Sequence, residues 1–161
     1  MEKDTIRSIF KFLENEENRK TPIVWKLINN EPLTDDELNI EGNLNLTDSK
    51  ITQLPKGLKV GDNLNLLGTI ITSLPEGLEV GATLDLSYSD IRTLPEGLEV
   101  GGSLWLIGCW LITSLPKGLH VGGDLYIFRT NFRNLSNDEI RDMIKPGFIG
   151  GGIYRTWKKT H

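Results

Sequence analysis

Between Leu44 and Ile127 the apolar residues come in pairs one variable position apart: Leu44-Asn45-Leu46, Leu64-Asn65-Leu66, Leu84-Asp85-Leu86, Leu104-Trp105-Leu106 and Leu125-Tyr126-Ile127. Alternation is the period of a half-buried strand, so the pattern predicts short strands whose paired aliphatic residues point inward and stack on those of neighbouring coils. A second unit recurs between them. Leu54-Pro55-Lys56-Gly57-Leu58-Lys59-Val60-Gly61 returns from Leu74, from Leu94 and from Leu115, at intervals of 20, 20 and 21 residues. Self-similarity at that period signals a stacked solenoid. One register position holds Ser49, Thr69, Ser89, Cys109 and Thr130, followed two residues later by Ile51, Ile71, Ile91 and, in the last copy, Phe132. Small hydroxylated side chains there can bond backbone groups that turn away from the sheet. Pro55, Pro75, Pro95 and Pro116 belong outside any hydrogen-bonded ladder, and Gly57, Gly77, Gly97 and Gly118 are expected in turn conformations closed to other residues.

Helical spacing replaces this pattern at both ends. Ile6, Ile9, Phe10 and Leu13 predict an amphipathic helix over residues 4 to about 18, and a second short helix runs from Pro22 towards Pro32. Leu33-Thr34-Asp35-Asp36-Glu37-Leu38 opens a degenerate first repeat, and Leu135-Ser136-Asn137-Asp138-Glu139-Ile140 closes the array. Both contain the Ser/Thr-x-x-Glu capping box, and the second predicts a helix from Asn137 to Lys145 ended by Pro146-Gly147. The chain therefore divides into a helical N-terminal cap at 1–32, an array of about five coils at 33–135, and a cap helix with a basic aromatic tail at 136–161. The first segment reads as a cover for the open end of the solenoid, with a separate partner-binding hairpin as the alternative.

The pattern L-x-L-x-x-[S/T]-x-I-x-x-L-P-x-G-L-x-V-G resembles the short bacterial class of leucine-rich repeat with its L-P signature. Ser, Thr or Cys stands where many members have Asn. The resemblance implies an α/β repeat solenoid: a curved right-handed coil with a parallel sheet on its concave side, a helical N-terminal cap and a short helical C-terminal cap. Repeats of this valine-glycine type also resemble those of bacterial-virus and large-virus proteins. Bacterial ubiquitin ligases are similar in their L-P repeats, but carry catalysis in a separate domain for which this chain has no room.

Function in a repeat protein is expected where the repeats differ while the framework holds. The outward strand positions read Asn43, Asn45 and Thr47; Asn63, Asn65 and Leu67; Thr83, Asp85 and Ser87; Ser103, Trp105 and Ile107; Asp124, Tyr126 and Phe128. The face changes from polar amides to large apolar side chains. In-register residues of successive coils lie about 4.8 Å apart, so Trp105, Ile107, Tyr126 and Phe128 are expected to adjoin, with Leu67 on the same face and Arg129 and Asp124 at the rim. Grouped aromatic anchors are what an interface uses. The alternative is that a C-terminal cap or the chain's own tail folds over them. The one spacing error requires an extra residue near Cys109-Trp110-Leu111, where a bulge would push Trp110 or Leu111 outward beside the aromatic face.

Composition narrows this picture only slightly. The net charge of −4 is too small to name a partner, but it is unevenly spread: residues 1–32 are neutral, 33–140 carry seven basic and fifteen acidic side chains, and 141–161 carry five and one. The tail adds Tyr154 and Trp157 to its cations after the glycine run Gly150-Gly151-Gly152, which reads as flexible, and such a segment could bind nucleic acid by phosphate contact and stacking. A lone Cys109 fits a reducing compartment, and no signal peptide or membrane span is read, so a cytoplasmic protein of bacterium or host is expected. The two histidines, His120 and His161, have no register relation to Cys109, and no metal-ligand cluster or phosphate loop is visible. The reading is a non-catalytic, cofactor-free module that binds another protein, a candidate inhibitor of a host complex, with self-association left open. The alternative is a nucleic-acid-associated factor using the tail.

Overall fold

The structure, a computed structural model, describes residues 22–156. It is a parallel β-solenoid with little helix, built from two six-stranded parallel sheets of two-residue strands. The leucine sheet stacks Leu44–Asn45 (β2), Leu64–Asn65 (β4), Leu84–Asp85 (β6), Leu104–Trp105 (β8), Leu125–Tyr126 (β10) and Ile153–Tyr154 (β12) in that order. The valine sheet stacks Asn39–Ile40 (β1), Lys59–Val60 (β3), Glu79–Val80 (β5), Glu99–Val100 (β7), His120–Val121 (β9) and Phe148–Ile149 (β11). The repeat register aligns the pairs one coil apart, for example Leu64 with Leu84 and Val80 with Val100.

The valine sheet corrects the expectation of a single parallel sheet. Its alternation, an exposed Lys59 or Glu79 before a buried Val60 or Val80, is too short to stand out beside the L-x-L pairs. The residue after each valine completes it. The N–H groups of Gly81, Gly101 and Gly122 donate to the carbonyls of Val60, Val80 and Val100 at 2.8, 2.8 and 2.9 Å. A Cβ at Gly81, Gly101 or Gly122 would overlap the carbonyl oxygen of the corresponding glycine one coil earlier. Glycine here is therefore a condition of coil spacing.

Between the sheets the core is a column of stacked aliphatics. Leu64, Leu84, Leu104 and Leu125 are wholly buried from one side, and Val60, Val80, Val100 and Val121 close it from the other. The small-residue register behaves as expected in three coils, where buried Thr69, Ser89 and Thr130 donate to the carbonyls of Leu66, Leu86 and Ile127 at 2.7, 2.6 and 2.8 Å, but not in the first, where the Ser49 hydroxyl has no partner among the described residues. Cys109 keeps the position but sends its thiol to the carbonyl of Leu86, 3.0 Å away in the preceding coil. Gly57, Gly77, Gly97 and Gly118 do take left-handed φ values, of 75°, 75°, 69° and 72°. A second left-handed register, not read from the sequence, holds Asp48, Gly68, Tyr88, Gly108 and Arg129 at φ 53°, 67°, 54°, 69° and 55°.

At the start of the described chain a helix, Ile23–Ile28 (α1), buries Leu27 and leaves Val24, Trp25 and Ile28 exposed. The helix read over residues 4–18 lies outside the described residues. Thr34 and Glu37 exchange both capping-box bonds, at 2.9 and 3.3 Å, yet only a turn follows. The Glu37 carboxylate is also held at 2.8 Å by Lys26 of α1, and that contact, ahead of the Thr34 N–H, lowers its pKa. The second box does open a helix, Asn137–Met143 (α2), two residues shorter than the pattern suggested.

Beyond α2 the chain rejoins the solenoid through β11 and β12. The glycine run between them is not a flexible joint. Gly150 and Gly151 donate to the carbonyls of Val121 and Gly123, both at 2.8 Å, and Gly152 donates to Asp124 Oδ1 at 2.7 Å. Arg141 of α2 reaches back with Nη1 to the Ile149 carbonyl and Nη2 to that of Gly151, at 2.8 and 3.2 Å. Small residues were needed for packing here, since a Cβ at Gly150 would overlap the Gly122 carbonyl.

Candidate partner-binding face

On the outer side of the leucine sheet the middle strand position reads Asn45, Asn65, Asp85, Trp105, Tyr126 and Tyr154 from one coil to the next. Its first half is occupied by local structure. Asn45, Asn65 and Asp85 each accept the N–H two residues on, from Thr47, Leu67 and Ser87, at 3.0, 3.0 and 2.8 Å. These are Asx turns that hold the strand end in shape. Asn63 bridges coils instead, donating to Asn43 Oδ1 at 2.8 Å and accepting from the Thr83 N–H at 2.9 Å.

The second half is a row of rings. Trp105 and Tyr126 lie 5.2 Å apart with a tilt of 56°, and Tyr126 and Tyr154 are stacked at 5.0 Å and 18°. Both geometries are favourable for aromatic pairs. The Tyr126 hydroxyl meets Asp124 Oδ2 at 3.3 Å; burial first, and then this carboxylate, push the phenol above its ordinary pKa. Asp124, expected as a rim charge, is thus tied to Tyr126 and Gly152. The tail contributes Tyr154 to the row, a place the sequence did not give it because its coil lacks the Leu-Pro unit, and Trp157 with the rest of the tail lies outside the described residues.

Of the other candidates, Ile107 is 7% exposed and forms floor more than surface, whereas Phe128 is half-buried and carries the Arg129 guanidinium 5.3 Å from its ring centroid. Leu67, Trp105, Ile107 and Phe128 share a hollow of about 220 Å³ with Asp85, Ser87 and Tyr88. Tyr88 had no signal in the repeat pattern. It stands at the left-handed turn position with 51% of its surface exposed, and its ring lies over Gly108, where a Cβ would come within 2.6 Å of it. Trp110 is not part of this group. The extra residue of the fourth coil is absorbed in a turn at Trp110-Leu111, beyond the strand and not as a bulge within it, while Cys109 and Ile112 on either side stay fully buried. Asn131 pins that turn by donating to the Trp110 carbonyl at 2.7 Å. Trp110, 59% exposed, lines a separate hollow of about 410 Å³ with Arg129, Asn131 and Arg133.

A further surface was not read from the sequence at all. Along the valine sheet a groove of about 500 Å³ has a floor of Gly61, Gly81, Gly101 and Gly122, with Glu99 and His120 beside it. Its chemistry is internally matched. Lys59 pairs with Glu79 at 2.8 Å, and His120 offers Nδ1 to the Gly118 carbonyl at 2.6 Å while its ring meets Phe148 edge-on at 5.1 Å.

Reactive chemistry is poorly supported by these positions. Burial pushes the Cys109 thiol up to about 11, so it is not a thiolate at neutral pH. Among the described residues no group of three or more His, Cys, Asp or Glu side chains is arranged to hold a metal ion, and no helix is long and apolar enough to cross a membrane. The class defined by the fold is a parallel β-solenoid with an aromatic outer face. Comparison with protein-family models, with curated proteins and with solved structures returns no match.

Proposed function

We propose that this chain is a leucine-rich-repeat-type recognition module, closed by α1 at one end and by α2 at the other, that binds another protein through the C-terminal half of its leucine sheet. It acts without catalysis, in the cytoplasm of a bacterium or its host, and a module of this size works by occupying a surface that a host complex needs. The observation that carries the reading is the row Trp105–Tyr126–Tyr154, beside a hollow, on a face whose other half is spent on Asx turns. Rigid aromatic side chains flanking a concavity are the usual centre of binding energy in an interface. The test is an unbiased pull-down comparing the parent chain with the triple variant Trp105→Ala/Tyr126→Ala/Phe128→Ala. Loss of specific partners is expected; an unchanged partner set would refute the reading.

A further inference from the structure

The ring row ends at Trp105, and what adjoins it on the other side is a carboxylate. Asp85 is the strand partner of Trp105, and both line the same hollow. Asp85 spends Oδ1 on the Ser87 N–H at 2.8 Å and forms no ion pair among the described residues, which leaves Oδ2 open. It is the one carboxylate in a lining otherwise made of Leu67, Tyr88, Ile107, Phe128 and their neighbours. Two further groups of the lining residues are buried behind its surface and lack partners among the described residues. Ser87 is 2% exposed and its Oγ is unbonded, and the indole N–H of Trp105 is likewise buried without an acceptor. Buried polar groups of this kind are rare unless something bonds them.

Resting on the protein-binding reading above, we propose that this hollow receives one cationic side chain, a lysine or arginine, from the partner protein. A carboxylate beside an indole favours a cation twice, by charge and by the ring's electron-rich face, and both effects strengthen when water is excluded. The cation's N–H groups bond Asp85 Oδ2, and its aliphatic stem packs along the apolar lining of Leu67, Tyr88 and Phe128. About 220 Å³ is room for one long side chain and is below the roughly 300–1,000 Å³ of pockets that hold drug-sized ligands. The excess of acidic over basic residues across 33–140, fifteen against seven, draws in a basic partner.

The probes are n-butylguanidinium and its neutral isostere n-butylurea, titrated at constant ionic strength while the indole N–H resonance of Trp105 is followed by NMR, assigned with Trp105→Phe. Butylguanidinium is expected to shift that resonance saturably, at concentrations at least tenfold lower than butylurea, and Asp85→Asn should abolish the difference. Asn65 makes the same turn bond as Asp85, so Asp85→Asn removes the charge and keeps the fold, which an unchanged thermal melt confirms. Equal responses to the two probes, or a response unchanged in Asp85→Asn, would overturn the proposal. In the pull-down, partners lost by the triple aromatic variant but kept by Asp85→Asn would leave the face as a binding surface and sink the cation pocket alone.

Discussion

The two sheets of this solenoid are made by the same repeat and differ in what their outer faces do with it. On the valine sheet the exposed row passes from Lys59 through Glu79, Glu99 and His120 to Phe148, over a glycine floor, with Lys59 paired to Glu79 and His120 set against Phe148. On the leucine sheet the row passes from turn-forming Asn and Asp to Trp105, Tyr126 and Tyr154, and leaves a carboxylate oxygen beside a hollow, with a hydroxyl and an indole N–H buried behind it, without partners among the described residues. Regularity on one side sets coil spacing, and departure from regularity on the other is where the proposed recognition falls. That contrast says where mutations should cost folding and where they should cost binding.

The largest effect is expected at the glycine floor. Gly101→Val would drive a side chain into the Gly81 carbonyl, and a loss of about 3 kcal/mol or more in denaturant unfolding is expected. Gly77→Ala, at a turn with open space and φ of 75°, should cost only about 1 kcal/mol. Equal losses would mean that coil spacing is not set by the floor.

Next comes the pair within β8. Leu104→Ala, at a wholly buried position, should cost about 3 kcal/mol. Its neighbour Trp105→Ala should cost about 1 kcal/mol, the scale of one aromatic pair, while removing partner binding. Similar thermal destabilisation by both would make Trp105 a structural residue.

A smaller effect is expected from pH. The thiol of Cys109 is raised from 9.0 to about 11 in the folded chain. Below about pH 9 it is protonated in both states; from there to about pH 11 the unfolded chain ionises it and the native chain does not. Stability should therefore fall as pH rises through that window, by on the order of 2 kcal/mol. Cys109→Ser, which copies the neighbouring coil's Ser89, should unfold with a shallower pH slope, and identical slopes in urea titrations at pH 8 and pH 10.5 would show that the thiol is solvated.

The smallest effect is at Lys59, whose pair with Glu79 is half exposed. Lys59→Ala should change stability by about 0.5 kcal/mol or less, and the change should vanish at high salt.

Much of the candidate site was legible because register is legible. Once the Leu-Pro units are aligned, Trp105 and Tyr126 must be neighbours, and they are. Tyr154 and Tyr88 were not, for different reasons. Tyr154 belongs to a coil reached only after α2, where the glycine run carries the backbone contacts but no Leu-Pro unit announces them. Tyr88 occupies a left-handed turn, a conformation that side chains seldom adopt, so nothing in its residue type points to it. Trp110 was placed outward correctly but on the wrong neighbour, because an inserted residue fixes that the chain must accommodate it and does not say whether a strand bulge or a turn does so, or which way it faces.

The sequence by itself determined the stacking. A twenty-residue period with inward leucines and valines allows few arrangements other than coils laid in register, since each unit can bury its apolar residues only against a copy of itself. Tertiary structure alone decided which polar groups stay unanswered. Asn65 and Asp85 are alike in sequence and in their turn bond, yet Asp85 lies beside Trp105 and above a hollow while Asn65 lies beside Asp85. Pattern reads the position of a residue along its own strand, whereas the surroundings of a side chain are set by the coils above and below it.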